Sequence, residues 1–107
     1  MVVMSNPVEG REDEYNDWYQ NVHLGELVAL EGFQSARRFR LTRSLVEGEN
    51  YPYMAIYEIE TDDLDSVLQN LVQVAESERL TMSDSIDTAN TRAVVFEEFG
   101  AVVAKCR

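Results

Sequence analysis

The stretch from Glu12 to Phe39, EDEYNDWYQNVHLGELVALEGFQSARRF, constrains the fold most, because its side-chain period changes from helical to two-residue within one short run. It also holds the chain's one His, its one Trp and two of its five Tyr. At about 100° per residue, Tyr15, Trp18, Tyr19, Val22 and Glu26 project from one helix face, with His23 at its edge one turn beyond Tyr19. After His23 the stripe slips, and Leu24 and Val28 fall on the far side of the extended wheel. Gly25 is a local weak point, so the spacing predicts a helix to about His23, a bend between His23 and Glu26, and a separate short turn or helix through Leu30. From Phe33 the period is two. Phe33, Ser35, Arg37, Phe39 and Leu41 share one face of a strand running to Arg43, and Ala36, Arg38 and Arg40 share the other.

The rest of the chain supplies three more strands and a second helix. Residues 2–5 form a short apolar run stopped by Asn6-Pro7, and the acidic residues from Glu9 to Glu14 suit a helix N-terminus. A turn at residues 48–50 leads into a strand over residues 51–60, with Tyr51, Tyr53, Ala55, Tyr57 and Ile59 alternating against Met54, Ile56 and Glu58. Thr61-Asp62-Asp63 caps a helix whose Leu64, Val67, Leu68, Leu71, Val74 and Ala75 keep helical spacing. The polar residues 81–91 read as a loop, either lying over a pocket mouth or without a role. Residues 93–103 read as a last strand, apolar enough to be covered on both faces.

The order β-α-β-β-α-β predicts an α+β fold of ferredoxin-like type, a four-stranded antiparallel sheet in one domain over residues 1–107. Both helices then cover one sheet face. The second and third strands are apolar on both faces, so the bare face should also be buried, most simply by a second copy of the chain. A homodimer is therefore expected.

Nine basic residues against twenty acidic give a net charge of −11, which repels phosphate backbones and anionic membranes and argues against either as a partner. The single Cys106 permits no intrachain disulfide, and no signal-type or 18-residue apolar run is present, so the cytoplasm is the expected compartment. One His among scattered carboxylates is not a metal signature. There is no phosphate-binding Gly loop and no G-x-S-x-G motif. Neither metal nor cofactor is expected, with haem on a single axial His as the residual alternative.

His23 is the candidate acid/base, because an imidazole titrates near neutrality and Glu26 can orient its ring or raise its pKa. The alternatives are a structural histidine bonded to a carbonyl, or an exposed one. Tyr19 can bring its hydroxyl to the same place. Tyr15 and Trp18 are by default core aromatics, and Tyr53 and Tyr57 line either a cavity or the dimer interface. Arg37 and Arg38 point to opposite sheet faces, so at most one serves a pocket. A salt bridge to one of the many carboxylates is the alternative.

Residues 5–41, SNPVEGREDEYNDWYQNVHLGELVALEGFQSARRFRL, resemble the dimeric α+β barrel proteins, and within them the EthD-like and related small proteins. The resemblance rests on a W-Y-x-x-x-H pattern, here Trp18-Tyr19 and His23, on Gly32-Phe33 at the turn, and on the Arg38-Phe39 pair. The similar proteins usually carry Pro where this chain has Gly25 and Glu31. The resemblance implies a homodimer whose sheets face each other, with a pocket in each subunit between sheet and first helix. It favours Arg38 as the pocket arginine, holding a carboxylate or enolate. That superfamily includes cofactor-free monooxygenases, polyketide cyclases, muconolactone isomerases and haem enzymes, among which fold alone does not choose. The expectation is a cofactor-independent enzyme moving a proton on a compact, apolar, aromatic or polyketide-like carbonyl compound. His23 and Tyr19 would be catalytic, and Trp18, Glu26, Arg38, Tyr53 and Tyr57 would contact substrate in a cavity beside His23. A non-catalytic binding or accessory protein of a catabolic pathway, and a purely structural dimer, are the alternatives.

Overall fold

The computed structural model describes residues 1–106. Strands β1 (Val2–Ser5), β2 (Phe33–Arg40), β3 (Tyr53–Ile59) and β4 (Arg92–Val94) form one sheet in the order β2-β3-β1-β4, every neighbouring pair antiparallel. Helices α1 (Glu12–Trp18), α2 (Leu24–Val28) and α3 (Leu64–Glu76) supply the α part of this α+β fold. The core gathers Tyr15, Tyr19 and Leu27 from the first helical segment, Phe33, Tyr53, Ala55 and Tyr57 from the sheet, and Val67 from α3. No helix among the described residues is long and apolar enough to cross a membrane.

The expected break into a separate turn or helix at Gly25 is absent. The backbone stays helical from α1 into α2, joined by a π-helical turn over Tyr19–His23, and Gly25 lies inside α2. A π turn inserts one residue and rotates the next stretch of helix by about 100°. The slip of the apolar stripe after His23 is the sequence trace of that insertion. Tyr15 and Tyr19 are buried four apart, then Leu24 is buried five residues after Tyr19, so the rotation returns α2 to the core without breaking the helix.

Strand β2 is shorter than expected and carries a β-bulge. Phe33 pairs with Ile59 and Ser35 with Glu58, so two residues of β2 oppose one of β3 and the alternation resets. Phe33 thereby leaves the face of Arg37 and Phe39 and packs edge-on against Tyr57, with ring centroids 6.1 Å apart. The turn before it needs Gly32, whose φ is +89° and whose missing side chain makes room for Val67. Asp63 caps α3 by accepting the Ser66 N–H, and Val67 and Val74 are buried while Leu64 and Ala75 are exposed.

The last strand is the largest departure. β4 covers only Arg92–Val94, and residues 95–106 belong to no strand. Phe96, Phe99, Val102 and Val103 are 73%, 99%, 94% and 95% exposed. Nothing in one chain covers them, so apolar composition alone did not place this segment in the sheet. Residues 81–91, by contrast, are firmly attached. Pro7 bridges to Ile86, the Val8 N–H donates to Ser85 O, and the Asp87 N–H donates to Asn6 O.

Candidate functional site

The first helical segment lies over the helix-facing side of β1, β2 and β3, where the two-residue period places Ser5, Arg38, Tyr53 and Tyr57. Tyr15 and Ser5 share a buried hydroxyl hydrogen bond. The Arg38 guanidinium sits 4.7 Å from the Tyr19 ring centroid, 5.2 Å from that of Tyr53 and 5.3 Å from that of Tyr15. These are cation–π distances, and they hold the charge by ring faces rather than by a counter-ion. Its Nη2 donates to Asn16 Oδ1 at 2.7 Å. Among the described residues Arg38 forms no ion pair, so the salt-bridge alternative is not what occupies it, and donors of its fork stay free.

Tyr53 extends the cluster toward the helix N-terminus. Its hydroxyl donates to Glu12 Oε1 and accepts from Asn16 Nδ2 at 3.1 Å. The bond to Glu12, above all, raises the phenol's pKa above its ordinary value. Deeper in the core, the Tyr57 hydroxyl donates to that of Tyr19 at 3.4 Å, the long limit for such a bond. Burial pushes both phenols upward, Tyr57 the more strongly, with Tyr19 beside it adding to the shift. Both therefore act as neutral hydrogen-bonding groups at pH 7.

His23 stands on the other side of Tyr19. Its ring stacks on Trp18 with centroids 4.6 Å apart and meets the Tyr19 ring edge-on at 4.9 Å. The π turn makes this stacking possible, since Trp18 and His23 are five residues apart. Burial lowers the imidazole pKa from 6.5 to about 4, against a smaller upward pull from Glu26. The ring is neutral at pH 7. Its Nδ1 is buried without a hydrogen-bond partner, and an orphaned buried nitrogen of that kind requires an explanation.

Glu26 does not hydrogen-bond the imidazole. Its carboxylate accepts from the Thr81 N–H at 2.9 Å and from the Thr81 hydroxyl at 3.1 Å. The Trp18 indole N–H donates to Thr81 O at 2.7 Å, and Arg11 donates to Asp84, holding its carboxyl below the usual range. Residues 81–91 are thus a strap fastened across the Trp18 side of the first helix.

Three concavities of the surface lie away from His23. One of about 560 Å³ lies between Pro7, Glu9, Tyr51 and Asp87. A second of about 550 Å³ is lined by Met4, Phe39, Arg40, Tyr51, Tyr53 and Met54, and a third of about 340 Å³ by Glu31, Asp63 and Val67. Only Tyr53 of the expected site residues lines any of these. The structure brings Tyr19, Tyr53, Tyr57 and Arg38 into one cluster and Trp18, Tyr19 and His23 into another, with Tyr19 common to both. Glu26 belongs to the strap.

Glu12, Asn16 and Thr81 were not among the expected site residues. Glu12 and Asn16 had a readable signal, being polar and one helical turn apart on the flank of the aromatic stripe. Thr81 had none, because its contact with Glu26 spans the chain. Among the described residues no group of three His, Cys, Asp or Glu is placed to hold a metal ion. The chain matches no family model, no curated protein and no solved structure.

Proposed function

We propose that the chain is a cofactor-independent protein that handles a small carbonyl compound by proton transfer at His23, with Arg38 on the far side of the Tyr19 ring. The observation that carries this reading is the buried, unpartnered Nδ1 of a neutral His23, set by a π turn between Trp18 and Tyr19. A neutral imidazole can accept a proton from carbon next to a carbonyl, and Arg38 can hold the enolate or a carboxylate of the same molecule. The pKa near 4 costs basicity, which contact with a polar ligand would restore. Tyr19 and Tyr57 would donate hydrogen bonds, and Trp18 and Tyr53 would pack on an apolar or aromatic body.

A second reading, ligand binding without turnover, is favoured by the concavity lined by Tyr53, Phe39 and Arg40, which lies apart from His23. The sheet order β2-β3-β1-β4 supports a ferredoxin-like arrangement, and exposed Phe39 and Ile56 on the other face support a dimeric α+β barrel formed with a second copy. The lone, exposed Cys106 suits a reducing compartment such as the cytoplasm.

The test monitors hydrogen–deuterium exchange α to the carbonyl in a panel of cyclic and aromatic ketones and keto acids by NMR, with thermal shift on the same panel. Proton transfer requires exchange with the wild-type chain and its loss in His23→Gln at an unchanged unfolding midpoint. Thermal stabilisation without exchange selects the binding reading. Neither effect anywhere in the panel removes both.

A further inference from the structure

We infer that the concavity at the open end of the β2–β3 hairpin is a binding site for an apolar organic acid, a single carboxylate on an aromatic or acyl body. This rests on the reading of ligand binding without turnover, and names the ligand class of that site. Strand register builds the floor. Met4 pairs with Met54, and Met54 with Phe39, so one residue from each of three adjacent strands forms an apolar row on the sheet face that the helices leave bare. Phe39 is 41% exposed there. Just past the strand ends the Leu41 N–H donates to Pro52 O, which keeps the two legs of the hairpin together. Beyond that rung Arg43 lies on one leg and Glu49 and Tyr51 on the other. Floor and legs enclose about 550 Å³, within the range usual for small-molecule sites.

Charge selects the head group. Residues 32–46 hold four of the nine basic residues and none of the twenty acidic ones, so a strongly acidic chain gathers positive charge at this one place. Of the four, Arg38 is held under the helix by aromatic rings, whereas Arg40 and Arg43 are exposed and line the concavity. Among the described residues neither forms an ion pair, with Glu49 on the same rim or with any other carboxylate. Two guanidinium groups against one carboxylate leave one positive charge to be matched. A carboxylate matches it and fits the planar fork of a guanidinium through two N–H groups. A dianion such as a phosphate monoester exceeds it, and meets repulsion from Glu49 and from the net charge of −11. The apolar row beneath then takes the body of the acid, which separates this ligand from small hydrophilic acids.

The experiment titrates the full chain with octanoate and phenylacetate, each beside its neutral primary amide, and with phenyl phosphate as the dianion. Calorimetry reads affinity and backbone NMR shifts read location, at a protein concentration where sedimentation gives wild type and variants the same mass. The two acids should bind about tenfold more tightly than their amides, weaken as salt rises, and shift the signals of Met4, Phe39, Met54 and residues 41–43. Arg40→Gln combined with Arg43→Gln should bring the acids down to the level of the amides. The unfolding midpoint should not change, because both side chains are exposed. Phe39→Ala should weaken acid and amide alike. Amides that bind at these residues as well as the acids, or phenyl phosphate that binds more tightly than either acid, overturn the ligand class and leave binding at the concavity standing. Shifts confined to other residues, or no binding by any probe, overturn both.

Discussion

Tyr15 and Phe99 carry aromatic rings of nearly the same size, but one is 0% and the other 99% exposed. The difference lies in what each neighbourhood offers. Tyr15 sits on a helical period that repeats toward the sheet, and its hydroxyl finds Ser5 in β1. Phe99 sits in EEFGAVV, where neither a helical nor a two-residue period repeats and where no polar partner fixes the backbone. The first helix and its strap form a finished layer, whereas the bare sheet face and residues 95–103 form an unfinished one.

The largest effect that can break this comparison comes from truncating each ring. Tyr15→Ala removes a fully buried aromatic and strands the Ser5 hydroxyl, and should cost about 3–5 kcal/mol in urea unfolding at every protein concentration. Phe99→Ala should leave the dilute chain within about 0.5 kcal/mol of wild type. Its effect should appear only as loss of the rise in unfolding midpoint with protein concentration that a dimer confers. A large, concentration-independent cost for Phe99→Ala would show that residues 95–103 belong to the fold of a single chain.

The sequence made the finished layer legible and the unfinished one illegible, for physical reasons. Alternation placed Tyr53, Ala55 and Tyr57 on one face of β3, and Asp63 announced the start of α3. Helical spacing brought Tyr15, Trp18 and Tyr19 to one side, and parity separated Arg37 from Arg38 without choosing between them; the structure places Arg38 under the helix. The bulge at Phe33 and Ser35 was invisible, because one inserted residue resets a period of two without any special residue type. The slipped stripe at Leu24 was visible but was assigned to Gly25. An extra residue in a helical turn and a break at glycine leave the same mark on a helical wheel. Nearness in sequence marks Glu26 as a charge that raises the His23 pKa, and it does so, but its hydrogen-bond partner, Thr81, is 55 residues away. The end of β4 at Val94 was not legible, since the apolar residues after it have the composition of a covered strand although the single chain leaves them exposed.

A smaller effect, with a defined sign, comes from the pH dependence of stability. His23 falls to about 4 when folded and returns to about 6.5 when unfolded. Between those values the unfolded chain binds the extra proton, so stability contributed by the neutral ring is complete above about pH 6.5 and is lost as pH falls toward 4. The loss is on the order of 3 kcal/mol at most. Carboxylates such as Asp63 and Asp84, held below their ordinary values by Ser66 and Arg11, contribute mainly below this window. The wild-type chain should therefore lose more stability than His23→Gln between pH 6.5 and 4, measured by urea unfolding at matched ionic strength. Parallel curves for the two would mean that the imidazole is well hydrated, and that the finished layer is open at His23.

The smallest expected effect tests how the strap and the helix share Glu26. The carboxylate pulls the His23 pKa upward through charge while its oxygens accept from Thr81. Glu26→Gln keeps a carbonyl oxygen for Thr81 but removes the charge, so stability should change by under about 1 kcal/mol, as for other partly exposed polar contacts. The His23 pKa, tracked by NMR of its ring carbons and protons, should move further down. Glu26→Ala removes the acceptor as well, and should add faster amide exchange at Thr81 and through the strap. If Glu26→Gln instead leaves the His23 titration unchanged while Glu26→Ala shifts it, the strap shields the imidazole by covering it, and the charge of Glu26 has no part in the environment of the ring.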